Sequence, residues 1–337
     1  MKGRILVIAA LLLVMLGSLA GCKPREATED ELQRVVLSEV IHSIFYCPQY
    51  VAIHNGFFKD EGLDVVLEVA QGADKGAAAI LSGSAQFALF GSEQAVYATK
   101  QGASNPIIAF AACTQRDGSF LVGRVEEPDF RWRDTAGKVI IGGRKGGVPQ
   151  MVLEWNLKQD GIVPFQDVEI IQSIALDATA LAFKEGTGDY VQLWEPSPSI
   201  LEQENAGVIV AALGEGSGLL PYTTFHATAN YIKENPDTVQ KFTNAIYRAQ
   251  LWMQSHTPRE IAEVIAPAFP DANMDILTTV IERYQELDAW ASNPVIPEAW
   301  FDQLQRIMIE AGELDEPVEY SRIANTDFAE EAVKTIR

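Results

Sequence analysis

The chain has 337 residues and a formal net charge of −20 at pH 7, set by 26 lysines and arginines against 46 aspartates and glutamates. Without a basic stripe or block to neutralise phosphates, that balance argues against nucleic acid as a partner. The three cysteines and four histidines lack metal-ligand spacing, so no metal and no cofactor is expected.

Lys2 and Arg4 precede an apolar run, Ile5 to Leu16, that is too short to span a bilayer comfortably. Leu19-Ala20-Gly21-Cys22 then resembles the bacterial lipobox, with cleavage before Cys22 and lipid on that cysteine. Residues 1–21 are read as a lipoprotein signal peptide. Residues 22–34, charged and without apolar periodicity, are read as a flexible tether. The expected location is a cell membrane, lipid-anchored on its extracytoplasmic face.

Val35 to Val40 reads as an apolar strand. Pro48 opens a helix carrying Tyr50, Val51 and Ile53 that stops near Asn55-Gly56; Gly62 permits a sharp reversal, and Leu63 to Val69 is a strand rich in β-branched residues. This βαβ unit leaves the loop Ser43–Tyr46 at the carboxyl end of a sheet, where ligands bind. Further βα units follow: helix Lys75–Leu81, strand Gln86–Phe90, a helix from Glu93 to about Gln101, and strand Ile107–Ala112. Phe120–Val122 is a short strand, a candidate for the first crossing out of this lobe. Charged residues and Pro128 mark a boundary over Val125–Thr135. A second series runs through Lys138–Ile141, helix Pro149–Gln159, Val168–Gln172, helix Asp177–Phe183, Asp189–Trp194 and Val208–Ala211. Pro221–Thr228 alternates and is a candidate return strand. The remainder is helical: Pro236–Ser255, Pro258–Pro267, Asp275–Ala291 and Pro297–Ala311. The expected class is α/β, with two doubly wound lobes joined by a hinge and a C-terminal helical segment. Lobe 1 takes residues 35–123 and 223–337, and lobe 2 takes 124–222.

The glycine run Gly142–Gly147 has neither the GxxxxGK[ST] nor the GxGxxG order, which argues against a nucleotide site. Its free backbone N–H groups before a helix, that of Gly146 among them, with Arg144 and Lys145 alongside, can still hold a polar or anionic group. Trp194 and Glu195 end a strand, where a ring can stack on a flat ligand and a carboxylate can accept from an N–H. Phe45, Tyr46 and Gln49 occupy the equivalent place in the first lobe, and Tyr222 the return crossing. Gln115 and Arg116 are polar where a core would not want them. Asp74, Ser92 and Glu93 open helices, so capping explains them as readily as ligand contact. Cys47 and Cys113 are either a disulfide in an oxidising compartment or two buried free thiols. No GxSxG elbow, Cys–His pair or carboxylate pair points to catalysis.

Tyr50-Val51-Ala52, Gly56-Phe57-Phe58 and Glu61-Gly62-Leu63-Asp64-Val65 together resemble the signature of one group of binding proteins, those of ABC importers for sulfonates, nitrate and thiamine-pyrimidine precursors. That group also contains the thiamine-pyrimidine synthase. Gly72-Ala73, Leu81–Phe87 and Val139–Gly147 extend the resemblance over roughly residues 35 to 255. It implies a periplasmic-binding-protein type II fold, a small ligand captured between the lobes, and an ABC permease with its ATPase as partner. A monomer without catalysis is expected. Pyrimidine-binding members typically carry an NHTG-type sequence before YVA; here Phe45–Gln49 stands instead, with Tyr46 in the histidine's place. Aromatic candidates outnumber cationic ones, which favours a nitrogen-containing ring such as a thiamine-pyrimidine precursor. The alternatives are a sulfonate, nitrate or taurine-type anion, a riboflavin-like ligand, or an enzyme of the synthase type using His42 or Lys75.

Overall fold

The computed structural model describes residues 32–337; the signal peptide, Cys22 and nearly all of the tether lie outside the described residues. The first four strands are β1 (Gln33–Glu39), β2 (Leu63–Val69), β3 (Phe87–Gly91) and β4 (Ile107–Thr114). The next five are β5 (Ser119–Gly123), β6 (Val139–Ile141), β7 (Glu169–Ile171), β8 (Tyr190–Trp194) and β9 (Val208–Ala212), and β10 (Thr223–Thr228) is the last. They form two five-stranded sheets, ordered β2-β1-β3-β10-β4 and β7-β6-β8-β5-β9. Each is parallel except for one internal strand, β10 in the first sheet and β5 in the second. The chain therefore crosses between sheets twice, once from β4 to β5 and once from β9 to β10.

The local causes are those of the sequence pattern. The continuous apolar run of β4 is buried at every residue, as a strand covered on both faces requires. Gly62 adopts φ +79°, the left-handed turn that reverses the chain into β2 at low steric cost. Pro48 lies in the first turn of helix Cys47–His54, where its missing N–H costs nothing.

Three expectations are corrected. The strand begins at Gln33, which pairs with Leu63, so residues 33 and 34 belong to β1 and not to the tether. β5 pairs with β8 and β9, so 119–123 belong with the second sheet and not the first lobe; the turn is already complete at Arg116-Asp117-Gly118. A further helix, Asp327–Thr335, ends the chain.

The C-terminal helices Pro236–Gln254, Pro258–Ile265, Met274–Glu286 and Glu298–Glu310 follow. Thr257 and Glu260 form a reciprocal capping box at the start of the second of these. Phe242 anchors the first, its ring 4.4 Å from Phe87, 4.9 Å from Phe58 and 5.1 Å from Phe225. The last two helices also reach the second sheet's half. Gln303 donates to the Ser217 carbonyl at 3.0 Å, Lys158 to the Glu310 carbonyl, and Arg283 to Glu195. These contacts join the halves, the one to Ser217 within the second crossing itself.

Candidate functional site

A cavity of about 580 Å³ lies between the two sheets, within the size range of small-molecule sites. Its walls come from the carboxyl ends of parallel strands. In the first half these are Val40–Tyr46 after β1, Gly72–Asp74 after β2 and Gly91–Tyr97 after β3. In the second half they are Gly143–Pro149 after β6, Leu176 after β7 and Trp194 at the end of β8. Tyr222 and Thr223 line it from the return crossing. The arrangement follows from parallel strands, whose carboxyl-end loops converge on one edge.

Eight of the sequence candidates line this cavity: Phe45, Tyr46, Asp74, Glu93, Arg144, Gly146, Trp194 and Tyr222. The Phe45 ring lies against the first crossing so closely that a Cβ on Gly118 would stand 2.1 Å from it. It also meets Tyr222 edge-on at 5.7 Å and Tyr284 at 5.2 Å. Gly146 adopts φ +75°, which turns its carbonyl to the Tyr97 hydroxyl at 2.8 Å across the cleft. Arg144 approaches the opposite wall, its Nη1 3.0 Å from where a Cβ on Gly72 would be.

Five candidates lie outside the cavity lining, and their polar atoms are engaged within the scaffold. Gln49 donates its amide to the buried Glu39 carboxylate, which also takes the Tyr50 hydroxyl at 2.7 Å and sits 2.9 Å from His42 Nδ1. Ser92 meets the Thr224 hydroxyl at 2.7 Å, tying β3 to β10. Gln115 donates to the Asp288 carbonyl at 3.1 Å, and Arg116 faces the Asp288 carboxylate at 3.9 Å. Glu195 is buried, accepts from the Ser199 N–H and hydroxyl, and pairs with Arg283. Burial raises its pKa and Arg283 opposes the rise. Arg283 also holds Glu202 at 3.1 Å, so one guanidinium ties a C-terminal helix to two acids of the second half. Arg283→Met is expected to cost roughly 2 kcal/mol in urea unfolding, below the usual cost of breaking a buried pair because Arg283 is partly exposed. An unchanged unfolding midpoint would show that the pair contributes nothing.

Tyr97 and Glu313 are wall residues beyond the sequence candidates. Tyr97 lies one helical turn beyond Glu93 and thus on the same face; that spacing was a usable clue. Glu313 reaches the cavity from beyond helix Glu298–Glu310, and nothing local in the sequence points to it.

The electrostatics of the wall are mixed. Asp74, Glu93 and Glu313 supply acids, and Arg144 and Lys145 supply cations. Glu93 is 2% exposed. Burial pushes its carboxyl up to about 7, against the pull of Gln94, its own N–H and the Val148 N–H from the other half. Its Oε2 has no hydrogen-bond partner, and neither has the buried Tyr222 hydroxyl. A Cβ on Gly91 would stand 2.1 Å from that same Oε2, so only glycine there leaves room for the carboxyl.

Elsewhere, Cys47 and Cys113 are buried free thiols, which settles the choice between disulfide and thiols. Burial raises both pKa values, the opposite of what a nucleophile needs. His226 is buried against Phe90 at 4.1 Å and is pushed down to about 3 by burial, so it stays neutral. Among the described residues no group of three or more His, Cys, Asp or Glu is placed to hold a metal ion, and no helix is long and apolar enough to cross a membrane.

The sequence matches the family described as NMT1/THI5 like over residues 45–261. It is 45% identical over 313 residues to "Putative binding protein YtlA" of Bacillus subtilis (strain 168), covering 93% of this chain and 92% of that protein. Among solved structures it is similar to the alkanesulfonate-binding protein of Xanthomonas axonopodis pv. citri bound to MOPS. The TM-score there is 0.67 and the identity 16%, over 91% of this chain and 99% of the other. It is also similar to the desulfurization enzyme DSZB, with a TM-score of 0.65 and 15% identity over 90% and 100% of the two chains. At such identities the likeness is one of fold, and this fold carries both receptors and at least one enzyme.

Proposed function

The chain belongs to the NMT1/THI5-like family, and from that premise we propose that it is the lipid-anchored, extracytoplasmic solute-binding receptor of an ABC importer, holding a flat nitrogen-containing heterocycle between its two halves. The observation that carries this reading is the cavity wall: Phe45, Tyr46, Tyr97, Trp194 and Tyr222 supply five aromatic side chains from both halves. Rings of this kind stack on a planar ligand and add affinity beyond the area they bury. A thiamine-pyrimidine precursor or a flavin meets that description. Capture drives closure by differential affinity for the closed state, and the closed form docks on a permease with its ATPase. Anchoring through Cys22 keeps the receptor beside that permease.

A second reading rests on Arg144 and Lys145, which line the cavity beside the start of helix Val148–Gln159 and suit a sulfonate or nitrate. Three acids lining the same cavity weigh against it. The synthase-type enzyme is less well supported. His42 is engaged with Glu39 and with the Ala268 carbonyl at 2.7 Å, and neither His42 nor Lys75 lines the cavity.

The test is a thermal-shift panel of pyrimidines, flavins, sulfonates and nitrate on the mature protein, where a binder in excess raises the melting temperature. Shifts by sulfonates or nitrate with every heterocycle silent would overturn the heterocycle assignment. Trp194→Ala is expected to weaken the best binder about tenfold through loss of a stacking face. Its unfolding midpoint should stay close to the parent's; loss of the folded state would make Trp194 a core residue instead.

A further inference from the structure

We propose that Glu93 selects the ligand: it accepts a hydrogen bond from an amino, amidinium or protonated ring-nitrogen group and rejects ligands that bring only acceptors or negative charge to that wall. The proposal rests on the receptor reading and narrows it to a class of ligand.

Glu93 lines the cavity yet is 2% exposed, so its carboxyl is removed from water. Its Oε1 takes the Gln94 amide at 3.2 Å, while Oε2 has no partner. An unmet carboxylate oxygen in a dry wall is costly, and a donor on the ligand removes that cost. Space for the carboxyl is built in, because Gly91 has no side chain where one would strike Oε2. The Tyr222 hydroxyl, buried without a hydrogen-bond partner on the same wall, can serve as a second polar contact. A ligand offering only an acceptor to the ionised carboxyl would place two sets of lone pairs together with nothing between them. Discrimination of this kind is large, because the wrong ligand leaves a buried group unpaired.

Arg144 and Lys145 stand on the facing wall, so an anionic ligand is not excluded by net charge alone, and the outcome turns on Glu93. Three probes share a ring and differ at the polar group: benzamidine, 2-aminopyrimidine and benzenesulfonate. Binding of each to the mature protein, its Glu93→Gln variant and its Trp194→Ala variant is measured by ligand-observed NMR and thermal shift. The expected result is binding of benzamidine and 2-aminopyrimidine to the parent protein, with benzenesulfonate much weaker. Glu93→Gln should lose about tenfold or more for benzamidine, as expected for a charge-assisted bond. It should lose less for 2-aminopyrimidine, which carries acceptors beside its donor. Benzenesulfonate binding as well as benzamidine, with Trp194→Ala weakening both, would overturn the role of Glu93 and leave the receptor reading standing. Silence from all three probes would overturn the ring-binding receptor and this inference with it. The contrast between benzamidine and benzenesulfonate on the parent protein decides the matter even if Glu93→Gln fails to fold.

Discussion

Gly214→Ala is expected to destabilise the protein by about 3 kcal/mol or more, the upper range for forcing extra atoms into a filled site. Gly214 opens the second crossing, and a Cβ there would stand 2.2 Å from the carbonyl oxygen of Asp117 in the first crossing. The collision is with backbone, so no side-chain rotation relieves it. The crossings would have to part, and with them the Asp117 carboxylate, which takes the Ser119 N–H at 2.7 Å and the Ser119 hydroxyl at 2.6 Å. Chemical denaturation followed by circular dichroism reads the effect. A midpoint within error of the parent's would show that the two segments separate freely and that the packing of the crossings is not what joins the halves.

The unliganded protein is expected to lose stability steadily between pH 5 and pH 8. Burial holds Glu93 and Asp117 each at about 7 in the folded chain, above the ordinary carboxyl range of an unfolded one. A raised carboxyl contributes stability that is fully present below its unfolded value. That contribution is lost as pH rises through the folded value, because ionising the buried group then costs free energy. Over this window the loss is roughly 2–3 kcal/mol for each group, or about 5 kcal/mol together. Asp117→Asn keeps a carbonyl oxygen for Ser119 and removes the titration, so its stability should fall about half as steeply. A parent protein whose unfolding midpoint is level from pH 5 to 8 would show that water or a counter-ion reaches both acids.

Most of the fold was legible because its causes are local. The buried run of β4, the Pro48 helix start and the Gly62 reversal are each written in a few neighbouring residues. The aromatic half of the site was legible for a related reason: residues at the carboxyl ends of parallel strands converge wherever the sheet is placed. Polar residues at the same strand ends were not. Gln115, Arg116 and Glu195 look like ligand contacts until Arg283, on a helix far along the chain, and Asp288, in the turn after it, arrive beside them. Ser92 and Gln49 look the same until Thr224 and Glu39 are placed beside them. No pattern around a polar residue tells whether its partner is a ligand or a distant side chain. Glu313 is the reverse case, a wall residue supplied by a segment with no sheet of its own.

The strand order also sets the sequence in which the two halves can be assembled. Every strand of the second sheet lies within residues 119–212, so that half holds all its own hydrogen-bonding partners in one stretch of chain. The first sheet does not. β10 sits between β3 and β4, so β4 is joined to the rest only once Thr223–Thr228 has been made and has found its place. Closing that long loop is slow and repays nothing until the pairing forms. The second half can therefore complete its sheet before the first half can. In the first half β2, β1 and β3 can pair within residues 33–91, and only β4 waits for the chain to pass through the second half and come back.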